Sequence, residues 1–214
     1  MQPSFGVIGL GRMAQALVVP LLDSGRIRAD QVLAVVGGDR SLKARRQDLP
    51  AGLGLVAADD PLAAHVWAAP VQLLAVKPQQ LDSVAAAAEP VKDDPLLISV
   101  LAGVSLARLQ HLFPGHRCVR AVPNTPALVG AGLTALAWGQ DISREQQELV
   151  HQLFADVGEV LELAEAKLDA FLALTSSGPA FVALVAEAMA DGAVAAGLPR
   201  DLALRLSHRT LAGT

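Results

Sequence analysis

Six short runs rich in β-branched and other apolar residues constrain the fold of this chain most strongly. They alternate with alanine- and leucine-rich stretches of helical length, or with connections long enough for a crossover. Because the runs are apolar without strict alternation, we expect them to be buried on both faces, as in a parallel sheet covered by helices. The pattern predicts a doubly wound α/β fold with strands at residues 5–8, 32–36, 53–56, 71–76, 96–100 and 118–122.

The second part of the chain is predicted to be helical. An additional strand at the sheet edge is expected at residues 133–137, and Ser143 and Gln146 form a capping box that begins a helix. From Lys167 onward the pattern is helical only. We therefore expect an α/β domain at residues 1–164 and the start of an all-helical module at residues 165–214. A single domain finished by two helices is the alternative.

Composition excludes several classes of function. The 17 basic and 21 acidic residues give a net charge of −4, and aromatic residues make up 3%, so no nucleic-acid partner is expected. Cys118 is the only cysteine and the histidines lack metal-ligand spacing, which predicts no disulfide and no metal site. The uncharged run at residues 121–140 is broken by proline and glycine, so no membrane helix is expected there. The amino terminus does not resemble a signal peptide, and we expect a cytoplasmic protein.

A glycine-rich motif directly follows the first predicted strand. Gly9-Leu10-Gly11-Arg12-Met13-Ala14 is a G-x-G-x-x-A segment between that strand and a helix. Gly9 permits a tight turn, Gly11 lets the backbone approach a pyrophosphate, and Ala14 keeps helix and strand close. The free N–H groups of the helix start attract the anion. The motif predicts a Rossmann-type dinucleotide site that includes Arg12 and Met13.

The end of the second predicted strand bears on the choice of cofactor. An NAD site would place an acidic residue directly after Val36, but the chain continues with Gly37 and Gly38. Arg40 and Ser41 follow and could hold a 2′-phosphate. Asp39 could instead accept from the ribose. The sequence favours NADP(H), with NAD(H) as the alternative.

Four further motifs, in ordered succession, accompany the glycine-rich segment. They are Leu-Ala-Val-Lys-Pro-Gln at residues 74–79, Ser-Val-Leu-Ala-Gly at 99–103, Arg-Ala-Val-Pro-Asn-Thr-Pro at 120–126 and Ser-Gly-Pro-Ala-Phe at 177–181. The first three close predicted strands at the edge of the sheet where ligands bind. From residue 5 to its last residue, the chain resembles the pyrroline-5-carboxylate reductases, the NAD(P)H-dependent enzymes of the last step of proline synthesis.

The resemblance implies roles for particular residues. It implies that Ala75, Val76, Lys77 and Pro78, together with Ala102 and Gly103, line the cofactor. It also implies that Pro123 and Asn124 lie near the reacting centre, and that Glu165 lies close to the substrate. Lys77 as a strand cap, Arg120 paired with a structural carboxylate and Glu165 as an ordinary helix residue are the alternatives.

The implied reaction is hydride transfer to the imine carbon of 1-pyrroline-5-carboxylate, which gives L-proline. Positioning of the two reactants supplies most of the rate, and the sequence names no general acid. The resemblance also implies a homodimer, or a higher homo-oligomer, built through the carboxyl-terminal helices.

The chain departs from the family pattern in places. Ser176 stands for a glycine, Leu172 for a threonine, and Asp59-Asp60 for a common asparagine. Residue 214 precedes the Ser-Pro-Gly-Gly-Thr-Thr loop of the family, so the helical module is expected to be incomplete here. We expect a fragment of a longer protein, with a shortened relative as the alternative. The 214 residues alone are expected to bind NADPH but to turn over little substrate.

Two other functions compete with this one. One is a non-catalytic NADP-binding relative that lacks the substrate loop. The other is an oxidoreductase related to the 3-hydroxyacid dehydrogenases, for which Lys167 is the one candidate lysine beyond residue 92.

Overall fold

The computed structural model describes residues 3–47 and 49–214, and its centre is an eight-stranded sheet. The strand order is β3-β2-β1-β4-β5-β6-β7-β8, and every neighbouring pair is parallel except β6 and β7. This confirms the Rossmann-type, doubly wound and mostly parallel sheet. The strands are β1 (Phe5–Ile8), β2 (Val32–Val36), β3 (Gly54–Ala57), β4 (Val71–Leu74), β5 (Leu96–Ser99), β6 (Arg117–Val122), β7 (Gly132–Trp138) and β8 (Gly158–Glu162).

The far edge of the sheet differs from the sequence prediction. The strand expected at the edge is β7, but it is interior, because the unpredicted β8 pairs with it in parallel register from Gly132 with Gly158 to Leu136 with Glu162. Two glycines meet at the start of this pair: a Cβ added to Gly158 would collide with the carbonyl oxygen of Gly132. Because β7 turns back against β6, both β7 and β8 run opposite to the other six strands.

Eight α-helices are present in the described part of the chain. Ser143 caps α5 through the predicted capping box with Gln146. The chain divides into two compact units, Met1–Phe171 and Leu172–Thr214. The helices are α1 (Arg12–Asp23), α2 (Asp39–Arg46), α3 (Leu81–Ala86), α4 (Leu106–Leu112), α5 (Arg144–Ala155), α6 (Leu168–Thr175), α7 (Gly178–Ala195) and α8 (Arg200–Gly213).

The core of the first unit covers both faces of the parallel strands. Leu97, Ile98 and Val119 are almost completely buried in the middle of the sheet. Cys118 lies beside them on β6 and is fully buried, as expected of a small apolar side chain. Burial raises the pKa of the Cys118 thiol to about 12. This cysteine is therefore a packing residue and not a nucleophile.

The second unit is a pair of helices joined at Gly197, whose φ is +103°. Small residues of α7, Ala186 and Ala190, are buried together with Ala203 and Ser207 of α8, which allows the two helices to pack closely. The stretch Glu165–Ala195 has the length and apolar composition of a membrane span, but α6 ends at Thr175 and α7 begins at Gly178 within it. These helices therefore form one apolar stretch but not one continuous helix.

A buried polar cluster joins β4 to the segments that precede β4 and β6. The Gln72 side-chain nitrogen donates to the carbonyl oxygens of Trp67 and Ala69, both at 3.0 Å, so its oxygen is left to accept from His116 Nε2 at 3.1 Å. The His116 ring also packs edge-on against Trp67 and Phe113. Burial lowers the pKa of His116, and the backbone of Phe113 and Pro114 offsets only part of this effect.

We predict that His116 makes the fold sensitive to acid. A histidine whose pKa is lowered by folding binds protons more readily in the unfolded chain. Its contribution to stability is therefore complete above the unfolded pKa of about 6.5 and is lost as the pH falls below it. The free energy of unfolding, measured by urea denaturation from pH 7.5 to 5, should fall with a slope of up to about 1.4 kcal/mol per pH unit from this group.

The matched variants separate His116 from the other histidines. His116→Gln should be less stable at pH 7.5, because it breaks the buried cluster, but should lose less stability on acidification. His111→Gln, which changes a residue near the end of α4, should retain the pH slope of the parent protein. Equal pH slopes for the parent and His116→Gln would contradict the assignment.

Candidate functional site

A crevice opens at the carboxyl edge of the sheet where the strand order reverses. Strand β1 pairs with β2 on one side and with β4 on the other, so the connections that follow β1 and β4 lead away from a common point. Open α/β sheets bind ligands at such a point. A cavity of about 640 Å³ lies there, bounded by residues that follow β1, β2, β3 and β4.

The glycine-rich turn forms one wall of the crevice. Gly9 has a φ of +89°, and an added Cβ would lie 2.7 Å from Val76 Cγ1 and 2.9 Å from the carbonyl oxygen of Ala75. Only glycine fits this close approach of two loops. A Cβ on Gly11, in contrast, would meet no atom within 4 Å and would project into open space. The turn therefore leaves room for a ligand directly above its backbone.

The start of α1 faces this open space. Gly11 is the N-cap, so no side chain caps the first N–H groups of the 12-residue helix. Such groups and the helix dipole favour a bound anion. Of the residues predicted here, Gly9 and Gly11 line the crevice, Arg12 is exposed, Met13 is half-buried and Ala14 is fully buried in the core. The backbone and the buried Ala14 match the packing expected of a pyrophosphate turn.

The basic helix α2 forms the far wall. Ser41 and Arg45, one helical turn apart, both line the crevice, whereas Arg40 is exposed and lies outside the described residues that line it. Arg45 is half-buried, and its guanidinium donates to Gln15 Oε1 of α1 at 3.4 Å. The sequence analysis missed Arg45. The spacing of four residues from Ser41 on a helix is the signal that could have revealed it.

The connection after β4 closes the crevice on the other side. Ala75, Val76 and Lys77 line it, and Pro78 begins the short 3-10 helix that follows. Ala102 and Gly103 lie in the exposed turn after β5 and are not among the residues that line this cavity. Thus six of the residues predicted for the cofactor meet at one cavity: Gly9, Gly11, Ser41, Ala75, Val76 and Lys77.

The connection after β6 begins with two buried residues. Pro123 is buried, and Asn124 is only 4% exposed. The side-chain oxygen of Asn124 accepts a hydrogen bond from the Leu133 backbone N–H at 2.8 Å, which ties the end of β6 to the start of β7. Asn124 therefore shapes this loop through its side chain.

Glu165 is held at the same edge of the sheet by two donors. Its Oε1 accepts from the Leu106 backbone N–H at 2.7 Å and from Arg120 Nη1 at 3.2 Å. Arg120 Nη2 also donates to Asp169 Oδ1 at 3.1 Å. Glu165 thus caps the start of α4, a contact between residues 59 apart that no local sequence pattern reveals.

A second cavity lies at the opposite edge of the sheet. It has a volume of about 700 Å³ and is bounded mainly by residues before β4 and β5, including Trp67, Pro70 and Asp94. The predicted site residues are not among those that line it. In the part of the chain described, no group of three or more His, Cys, Asp or Glu side chains could hold a metal ion.

Comparison with known proteins identifies the two parts of the chain. Residues 4–103 match the family described as "NADP oxidoreductase coenzyme F420-dependent", and residues 165–214 match "Pyrroline-5-carboxylate reductase dimerisation". A pyrroline-5-carboxylate reductase of Synechocystis is 43% identical over 215 residues, which cover 100% of this chain and 78% of that protein. The enzyme of Pisum sativum is 35% identical over 98% of this chain and 75% of its own length.

Solved structures agree with these relatives. The pyrroline carboxylate reductase of Plasmodium falciparum, determined with NADP bound, superposes with a TM-score of 0.84 at 26% identity, covering 100% of this chain and 78% of that one. The matches cover 98% to 100% of this chain, so they include the residues of the crevice and of the helical module. The glycine-rich turn, the ordered strand-end motifs and the dimerisation module thus occur in one continuous alignment, and the chain belongs to the pyrroline-5-carboxylate reductase family.

Proposed function

We propose that this protein reduces 1-pyrroline-5-carboxylate to L-proline, with NADPH as the reductant. The observation that carries the proposal is the crevice at the point where the strand order reverses, in a chain whose whole length aligns with reductases of this substrate. The alignment favours this reaction over that of a 3-hydroxyacid dehydrogenase. A non-catalytic relative remains the competing hypothesis, and turnover distinguishes the two.

The residues of the crevice fit a dinucleotide. The open space above Gly11 and the uncapped start of α1 provide a cradle for the pyrophosphate, to which the backbone of residues 11–14 would donate. Ala75, Val76 and Lys77 would lie along the other side of the cofactor. When bound, the reduced nicotinamide supplies the hydride for the imine carbon.

The 2′-phosphate is assigned here to Ser41 and Arg45. Both line the crevice from the same face of α2, and a guanidinium with a hydroxyl can provide several donors to a phosphate. Arg40 precedes them on the same helix, is exposed and is not among the residues that line the crevice, so it is our second candidate for the phosphate contact. Gly37, which also lines the crevice, offers no carboxylate to oppose the phosphate.

The substrate is assigned to the loops after β5 and β6. Ala102 and Gly103 would border the nicotinamide, and Pro123, Asn124 and Glu165 would surround the imine. The protonated imine is already electrophilic, so these residues need mainly to exclude water and to hold the carbon near the hydride donor. We assign no general acid.

Assembly and location follow the family. Residues 165–214 match a dimerisation module, which supports a homo-oligomer. We propose that α7 and α8 form its interface as a dimer or a higher oligomer, because Phe181, Leu184 and Val185 expose about half or more of their surface. We propose that the enzyme works in the cytoplasm, with no nucleic acid or membrane as a partner.

Substrate-dependent turnover tests the proposed reaction. The protein as its gene encodes it should oxidise NADPH only when 1-pyrroline-5-carboxylate is added, and proline should accumulate in equal amount. Gly9→Val should bind NADPH at least about tenfold more weakly, because its side chain would collide with the Ala75 backbone. NADPH binding without any substrate-dependent oxidation would support the non-catalytic alternative.

A substitution on α2 tests the proposed contact with the cofactor 2′-phosphate. Arg45→Gln should raise the dissociation constant of NADPH about tenfold, through the loss of a charge-assisted hydrogen bond, and should leave that of NADH nearly unchanged. Fluorescence titration of both cofactors measures the ratio. Lys43→Gln removes one exposed positive charge from the same helix and should change the ratio less than about twofold.

The same titration of an Arg40 variant can overturn the assignment to Arg45. If Arg40→Gln abolishes the preference for NADPH and Arg45→Gln does not, the phosphate is bound at the start of α2 instead. Equal loss in all three variants would indicate a general electrostatic attraction and no specific contact.

A further inference from the structure

A buried arginine connects three segments at the carboxyl edge of the sheet. Arg120 lies on β6 between β5 and β7, and only 5% of its surface is exposed. One arm of its guanidinium donates to Glu165 and the other to Asp169. Since Glu165 also accepts from the Leu106 N–H, the guanidinium, the carboxylate and the start of α4 form one continuous set of hydrogen bonds.

Each member of this set belongs to a segment that borders the site. Leu106 lies three residues after Gly103 of the turn that follows β5, and Arg120 lies three residues before Pro123. Glu165 begins the short 3-10 helix before α6. A shift of the guanidinium would therefore be transmitted to all three segments at once.

The Glu165 carboxylate can accept further hydrogen bonds. Its hydrogen bonds within residues 3–47 and 49–214 all fall on Oε1, and its side chain is 33% exposed. With Arg120 and Asp169 the cluster holds one positive and two negative charges. The excess negative charge suits the cationic ring nitrogen of a protonated imine or of the amine that it becomes.

Stability alone does not account for this arrangement. Burying a guanidinium is costly, and apolar side chains of similar volume often stabilise a fold as well or better. The Arg120 Nε is buried without a hydrogen-bond partner in the described part of the chain, which adds to the cost. Asp169, the second partner, is 82% exposed, so its ion pair is screened by water.

We infer that Arg120 is a positioning residue of the substrate site and acts through Glu165. It holds the Glu165 carboxylate against the start of α4. It thereby fixes the distance between the turn after β5, which would border the nicotinamide, and the loop after β6, which would border the imine. The inference rests on the proposed function, because it assigns the fixed carboxylate to the ring nitrogen of the substrate.

The test combines kinetics with a double-mutant cycle. In the natural enzyme, Arg120→Met should raise the KM for 1-pyrroline-5-carboxylate about tenfold or more and change the KM for NADPH less than about threefold. Glu165→Gln should have a similar effect. The double variant should be no worse than the more affected single variant, because both changes interrupt the same contact. Arg28→Met removes an exposed arginine paired with Asp30 and should match the parent enzyme.

A readout that needs no turnover accompanies the kinetics. Hydrogen exchange of the peptide containing Leu106 should be faster in Arg120→Met than in Arg28→Met, since the carboxylate that caps this N–H is no longer held. If Arg120→Met does not fold, as judged by thermal melting, Arg120→Lys replaces it. That variant retains the charge without the planar fork and should show an intermediate KM for the substrate.

Several outcomes would overturn the inference. They are an unchanged substrate KM in Arg120→Met, effects of the two single variants that multiply in the double variant, and unaltered exchange at Leu106. Failure of the proposed function is seen separately, as a parent enzyme that does not oxidise NADPH with this substrate. In that case the exchange experiment alone decides whether Arg120 positions the segment.

Discussion

The crevice exists because Gly9 has no side chain. Strands β1 and β4 are neighbours, and the loops that follow them must pass each other before they lead to helices on different sides of the sheet. Any Cβ at Gly9 would collide with the Ala75 carbonyl. The close approach brings the uncapped start of α1 opposite Val76 and Lys77. The close approach of Gly9 to Ala75 therefore sets the positions of both the anion cradle and the opposite wall of the crevice.

Charge is distributed unevenly along the carboxyl edge. The α2 end carries Lys43, Arg45 and Arg46 near the proposed phosphate subsite, where the cofactor is most negative. At the other end, the cluster around Arg120 holds an excess of carboxylates. The protein as a whole has a net charge of −4, so the local basic character of α2 is a feature of the site and not of the surface in general. This distribution would favour the proposed placement of the cofactor 2′-phosphate beside α2.

The sequence predicts much of the fold, and the exceptions have identifiable causes. Buried parallel strands give continuous apolar runs, so β1 and β2 are predicted at their observed bounds. Strand β8 is missed because it lies at the edge of the sheet and contains Glu159 and Glu162. It therefore lacks the continuous apolar run by which the buried strands are recognised. Without β8, β7 is read as the edge.

The part of the candidate site that one local motif forms can be predicted from the sequence. The part that forms where distant segments meet is harder to predict. Gly9 and Gly11 act through their own backbone, which a local pattern captures. The role of Arg45 depends on which face α2 turns to the crevice, and that of Arg120 on contacts with residues 45 and 49 positions away. Such contacts are set by tertiary packing, which a single sequence does not encode in any local pattern.

The lone, fully buried Cys118 has a practical consequence. Its sulfur lies in the middle of the sheet, between β5 and β7, where a reagent has no access while the strands remain paired. The rate at which a thiol-specific label attaches to it therefore reports how often the centre of the sheet separates. The labelling rate of Cys118 can therefore show, without an engineered tag, how a bound nucleotide changes the opening of the sheet.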